Sequence, residues 1–141
     1  MRINKNTLFL MFDGVNTILK EEEKEYRVLG NEVKKILNDS CIYYGSSLLG
    51  RIKGSKNLLQ GRYKLPVVIS ERNNIIFFPI KDGDDIVWLN FKNIISYKRL
   101  DKAVEVTFIN NYKKCFNSTI TVFNNQLLKC SRLWLVFLGQ N

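Results

Sequence analysis

Three features of the 141-residue sequence predict an α+β domain: a twisted antiparallel sheet or partly open barrel, with a C-terminal amphipathic helix packed on it and a short basic helix before it. Between Pro66 and Phe116, short runs rich in β-branched and aromatic residues alternate with Asn, Asp and Gly turns, a pattern of hairpins and meanders. Beyond them the apolar period changes to three and four, with Phe123, Leu127, Cys130, Trp134 and Phe137 forming one stripe. Segment 46–64 combines helix-like spacing with five cations and no acidic residue. The length suits one domain, 1–141, and an apolar fraction of 45% is enough for a single core.

In chain order, residues 2–20 read as short strands around an Asp13-Gly14 turn. Leu8, Leu10 and Phe12 alternate there with Phe9 and Met11, so the run is apolar on both faces. Lys20–Lys24 reads as an exposed charged turn. Residues 31–38 predict a short helix with Asn31 as N-cap and Val33, Ile36 and Leu37 on one side. After Gly45, Ser46 and Ser47 are N-cap residues for a helix over 47–60 that sets Leu48, Leu49, Ile52 and Leu59 near one face. Gly50 and Gly54 weaken that helix by about 1 kcal/mol each relative to Ala, and their spacing would let another backbone approach.

Val67–Ser70 and Ile75–Pro79 predict a hairpin across Glu71-Arg72-Asn73-Asn74. After a turn at Lys81–Asp85, strands are predicted at Ile86–Phe91, Ile94–Arg99, Ala103–Ile109 and Tyr112–Phe116. Thr119 or Thr121 caps the C-terminal helix, with Lys129 and Arg132 on its polar side.

Composition narrows the function. No apolar run approaches the roughly 18–20 residues that span a bilayer. The N-terminal MRINKNTLFLMFDG is broken by Asp13 and lacks a small-residue cleavage site, so the chain is expected in the cytoplasm. Cys41, Cys115 and Cys130 are isolated, which fits reduced thiols packed as small apolar side chains. With no histidine, the usual neutral-pH base is missing and zinc ligands are scarce. No phosphate-binding glycine loop occurs, so no catalytic residue, metal or cofactor is expected. Asp82, Asp84 and Asp85 in KDGDD offer oxygen ligands for a divalent cation, although an Asp/Gly-rich turn explains them better.

The net charge of +9 is unevenly placed. Residues 1–45 hold seven basic and seven acidic side chains, so the whole excess lies in 46–141. That asymmetry favours a polyanionic partner, nucleic acid or an anionic membrane surface. Arg51, Lys53, Lys56, Arg62 and Lys64 are the candidate phosphate contacts. Lys53 and Lys56 lie on one helix flank, and Arg62 and Lys64 flank Tyr63 in a loop suited to a narrow minor groove. Lys98, Arg99 and Lys102, with Lys113-Lys114, form secondary basic patches that also serve as strand-edge guards. A solvated basic face is the bland alternative. A pleckstrin-homology-like interaction module for a protein or anionic lipid is the runner-up reading.

The string CIYYGSSLLGRIKGSK, then KLPVVISERNNIIFFP, WLNFKNI, VEVTFINN and FNNQL, resembles the competence transcription factor (ComK) family in order and spacing. The most specific element is Gly45-Ser46-Ser47-Leu48-Leu49-Gly50-Arg51. It is supported by PxxI…IFFP from Pro66 to Pro79 and EVTF…FxNQ from Glu105 to Gln126. The similarity covers about residues 41–130. It implies an activator of DNA-uptake genes that binds paired AT-rich boxes of double-stranded DNA through the minor groove. Such a protein would act as a dimer or larger homo-oligomer on the nucleoid, with RNA polymerase as a further partner and no cofactor. Ser46, Ser47, Gly50 and Arg51 carry over by motif, and the remaining cations rest on charge alone. Better-known members extend past the C-terminal helix in a long basic segment tied to activation and adaptor-mediated proteolysis. This sequence reaches only Asn141, and its 81–85 loop is shorter and more acidic than the family's. A reduced relative that occupies DNA without activating transcription is the corresponding alternative.

Overall fold

The computed structural model describes residues 1–59 and 64–138. Nine strands form two antiparallel sheets: β1 (Thr7–Phe12), β2 (Asn16–Glu21), β3 (Glu25–Leu29), β4 (Val67–Ser70), β5 (Ile75–Asp82), β6 (Asp85–Asn90), β7 (Ile94–Leu100), β8 (Ala103–Phe108) and β9 (Lys113–Phe116). Three helices accompany them, α1 (Val33–Tyr43), α2 (Leu48–Leu59) and α3 (Ile120–Leu133), the last continued by a π-helical turn at Trp134–Leu138. The larger sheet has the order β3-β2-β1-β6-β5-β4 and the smaller β7-β8-β9. Each three-stranded meander of the large sheet is local in sequence. The two are joined where β1 pairs with β6, Phe9 opposite Leu89 and Met11 opposite Val87.

Strands β1, β4 and β5 of the large sheet are buried on both faces over most of their length, as the two-sided apolar run of the first strand predicts. Along β5, Ile76, Phe78 and Ile80 face one core, with the small sheet and α3. Ile75 and Phe77 face the other, with α1 and α2. A bulge near Thr7 turns both Leu8 and Phe9 towards the small-sheet side before Leu10 returns to the helix side. The molecule is thus three layers: α1 and α2, the six-stranded sheet, and the small sheet with α3. Buried Asn93 ties the outer layer to the bulge, its Nδ2 donating to the carbonyls of Lys5 (2.8 Å) and Thr7 (2.9 Å).

Several expectations are corrected. Of the two forms expected for the sheet, the open antiparallel one is found, since neither sheet closes into a barrel. The basic helix does not precede the sheet but is inserted after three of its strands. β2 runs through Lys20 and Glu21, and β3 occupies Glu25–Leu29, where no strand was predicted. Every β3 residue is exposed, so no core-facing alternation marks it. α1 extends five residues past position 38, because Ser40 and Cys41 are buried in the core. The Ser40 hydroxyl donates to the Ile36 carbonyl (2.6 Å) and accepts from the Ile3 amide (3.0 Å). Asn31 does not occupy the cap position, which falls on Glu32, although its Oδ1 accepts from Val33 N at 3.3 Å. Leu49 points outward at 64% exposure, and its expected place in the stripe falls to Ser55, whose hydroxyl donates to the Pro66 carbonyl at 2.6 Å. Cys41 and Cys130 are buried, whereas Cys115 is exposed. Asp82 and Asp85 close the β5–β6 hairpin around Gly83 (φ +66°), and Asp82 accepts the Asn117 amide at 2.7 Å. Among the described residues, no helix is long and apolar enough to cross a membrane.

Candidate nucleic-acid interface

The GSSxxGR element folds into the corner between α1 and α2. Gly45 adopts φ +94° just past α1. Its N–H donates to the Ile42 carbonyl (3.0 Å) and that of Ser46 to the Cys41 carbonyl (2.8 Å). This pair is a Schellman ending, for which glycine is the low-cost residue. Ser47 then caps α2, its hydroxyl accepting from the Gly50 amide at 3.1 Å, while Asn38 Oδ1 accepts from the Leu48 amide. A Cβ at Gly50 would lie 3.1 Å from the Ser47 hydroxyl and 3.7 Å from that of Ser46. Gly50 therefore leaves room for the cap. No other backbone comes within 4 Å of that point, so the expected backbone approach does not occur at Gly50.

Arg51 follows one turn later, with only 17% of its side chain exposed, and its Nη1 pairs with Glu71 in the β4–β5 turn. Motif residues Gly45, Ser47, Gly50 and Arg51 thus hold α2 against the sheet. Lys53 and Lys56, in contrast, are exposed along the outer face of α2, and Lys64 is exposed where the chain enters β4. None of the ion pairs among the described residues involves these three lysines. α2 has no acidic residue, so the charge of Lys53 and Lys56 is uncompensated within the helix. Arg62 lies outside the described residues.

Lys64 is held through its backbone, which has φ +50°. Its carbonyl accepts from Nε2 of buried Gln126 at 2.8 Å, and the same nitrogen donates to the Pro79 carbonyl at 2.6 Å. One side chain of α3 therefore ties the basic connection to β5, a role the FNNQ string does not reveal by itself.

The secondary cations do not join this surface. Lys98, Arg99, Lys102, Lys113 and Lys114 belong to the small sheet, across the six-stranded sheet from α1 and α2. Nor do they form one patch, because successive residues on a strand point to opposite faces. Lys113 is exposed, whereas Lys114 is half-buried, its ammonium 5.9 Å and 5.8 Å from the ring centres of Phe9 and Phe116. Lys98 faces Glu105 at 3.7 Å, and Arg99 donates to the Asp101 carbonyl.

Two further arginines, missed because they are distant in sequence, stand beside Arg51. Arg2 and Arg72 line the same 740 Å³ cleft as Arg51, Tyr43 and Glu71.

This arrangement defines a non-barrel α+β domain that presents cations from a helix anchored at a glycine-serine corner. The family model described as ComK protein matches residues 2–140, and the chain belongs to that family. It is similar to the "Competence transcription factor" of Bacillus subtilis (strain 168), at 26% identity over 104 residues, 72% of this chain and 53% of that protein. The chain spans about half the length of this curated relative. No solved structure matches it.

Proposed function

We propose that the protein is a non-enzymatic, DNA-binding regulator of competence (DNA-uptake) genes that acts in the cytoplasm at the nucleoid and prefers AT-rich duplex sites. The observation that carries this reading is the acid-free helix α2, with Lys53 and Lys56 exposed and outside every ion pair among the described residues, in a chain of the ComK family. Each lysine set against a phosphate releases a condensed counterion, which supplies affinity and a steep salt dependence. Lys64, exposed where the chain enters β4, adds a third cation to that surface.

Sequence preference arises from groove shape in this account. A/T tracts narrow the minor groove and deepen its negative potential, so a basic segment discriminates without reading base edges. Ser46, Ser47, Gly50 and Arg51 contribute by fixing the orientation of α2 and by bringing its N-terminus near the phosphates. A second copy on paired sites and RNA polymerase are the partners this function calls for.

Competition tests the groove assignment. A ligand that fills the minor groove of A/T tracts is expected to displace the protein from such a duplex, whereas a major-groove methylation pattern leaves binding unchanged. Displacement by the major-groove change alone would overturn the assignment.

A further inference from the structure

The corner between the N-terminal segment, the α1–α2 turn and the β4–β5 turn forms a cleft of about 740 Å³. Three arginines from three separate elements line it: Arg2 before β1, Arg51 on α2 and Arg72 in the β4–β5 turn. Glu71 is the only acidic residue among the lining side chains, which leaves a formal charge of +2 in the cleft. Such a balance matches a phosphate group, and guanidinium forks suit its oxygens.

The cleft is also pre-ordered. Glu71 holds the Arg51 guanidinium by one nitrogen, Nη1, while Arg51 Nε is buried with no hydrogen-bond partner among the described residues. A buried donor in that state has an unmet need for an acceptor. Arg2 sits over the Tyr43 ring, its guanidinium carbon 3.5 Å from the ring centre, and Tyr43 meets Tyr44 edge-on at 5.0 Å. Ser70 is only 3% exposed, and its hydroxyl oxygen accepts from both the amide and Nδ2 of Asn73 (3.2 and 2.9 Å). Its own proton is left to donate.

We propose that this cleft binds a phosphate group, held by Arg51, Arg2 and Arg72 with Ser70 as a neutral donor. The phosphate comes either from a nucleic-acid backbone or from a free phosphate ester. In the first case the proposal rests on the DNA-binding reading, and in the second it is independent of it.

The test follows the Arg51 Nε–Hε resonance of the full chain by NMR. Inorganic phosphate and an A/T duplex are the two probes, each against chloride at matched ionic strength, with duplex binding read in parallel by anisotropy. Inorganic phosphate is expected to shift the resonance saturably, and Arg72→Gln, in an exposed turn, to weaken that binding about tenfold. If the duplex shifts the same resonance, and Arg72→Gln lowers its salt slope by about 0.9, the phosphate is a backbone one. A shift with free phosphate but not with a bound duplex assigns the cleft to a phosphate ester. A shift with phosphate and no duplex binding at all supports the cleft and overturns the DNA reading. Two results overturn the cleft itself: no shift with either probe while the duplex binds, or an equal phosphate response in wild type and Arg72→Gln.

Discussion

Replacing Gln126 with leucine isolates the contact that ties α3 to the basic connection. The side chain is 2% exposed, and its Nε2 donates to Lys64 O at 2.8 Å and Pro79 O at 2.6 Å. Leucine is close in size, so the perturbation removes a donor without opening a large cavity. Two hydrogen bonds at about 1 kcal/mol each are lost, and leaving the buried Pro79 carbonyl without this donor costs about 1–3 kcal/mol more, partly offset by the apolar side chain. The expected loss is about 2–4 kcal/mol, a substantial part of the roughly 5–15 kcal/mol typical of a domain. Urea unfolding followed by circular dichroism measures it: the midpoint falls while the slope is unchanged. A loss under about 0.5 kcal/mol would refute the clamp. Gln126→Glu adds a pH signature. A carboxylate facing two carbonyls in the core has a raised folded pKa, so the unfolded chain releases its proton first. Stability of that variant therefore falls as pH rises above about 4.3 and levels off once the folded carboxyl has ionised.

Other variants separate binding from folding. Lys53→Ala with Lys56→Ala removes two exposed charges and is expected to lower the salt slope of DNA binding by about 1.8, with stability changed by less than about 0.5 kcal/mol; titrations from low to physiological salt and a urea curve check both. Arg51→Ala strips Glu71 of its partner and is expected to cost about 1–2 kcal/mol of stability as well as affinity, because the guanidinium is largely buried whereas Glu71 is part-exposed. An aromatic-disulfide thiol assay should find one fast-reacting cysteine, Cys115, in the native chain and three after denaturation. Burial pushes the Cys41 thiol up to about 11 against an ordinary 9.0. The unfolded thiol ionises first, so this group costs stability as pH rises from 9 towards 11 and leaves it untouched below. Cys41→Ala should flatten that part of an alkaline stability profile.

Where side-chain period and local turn chemistry decide the outcome, the fold is readable from the residues. The hairpins after Pro66, the Thr119 cap (its hydroxyl accepting from Val122 N at 3.2 Å) and the buried stripe of Phe123 and Cys130 are of that kind. β3 escaped because its short alternation of Tyr26 and Val28 with Glu25 and Arg27 lies in an edge strand exposed on both faces, where no buried face marks it as part of the core. The end of α1, expected at 38, escaped because the partners of Asn38 and Ser40, at Leu48 and Ile3, come from distant segments and only that of Asp39, at Lys35, from the helix itself. The same physics limits the site. Arg51 reads as a free cation until the β4–β5 turn brings Glu71 to it across twenty residues, and Arg2 and Arg72 read as isolated charges until folding sets them beside it. Lys53 and Lys56 stayed legible because helical spacing alone places them on an open flank.

The most direct test of the account is fluorescence anisotropy on two duplexes of equal length, one with paired A/T tracts and one GC-rich, across a salt series. The account predicts tighter binding to the A/T duplex that persists at physiological salt, with a slope that falls when Lys53 and Lys56 are removed. Equal binding to both duplexes that vanishes at physiological salt would contradict it, leaving only a basic surface.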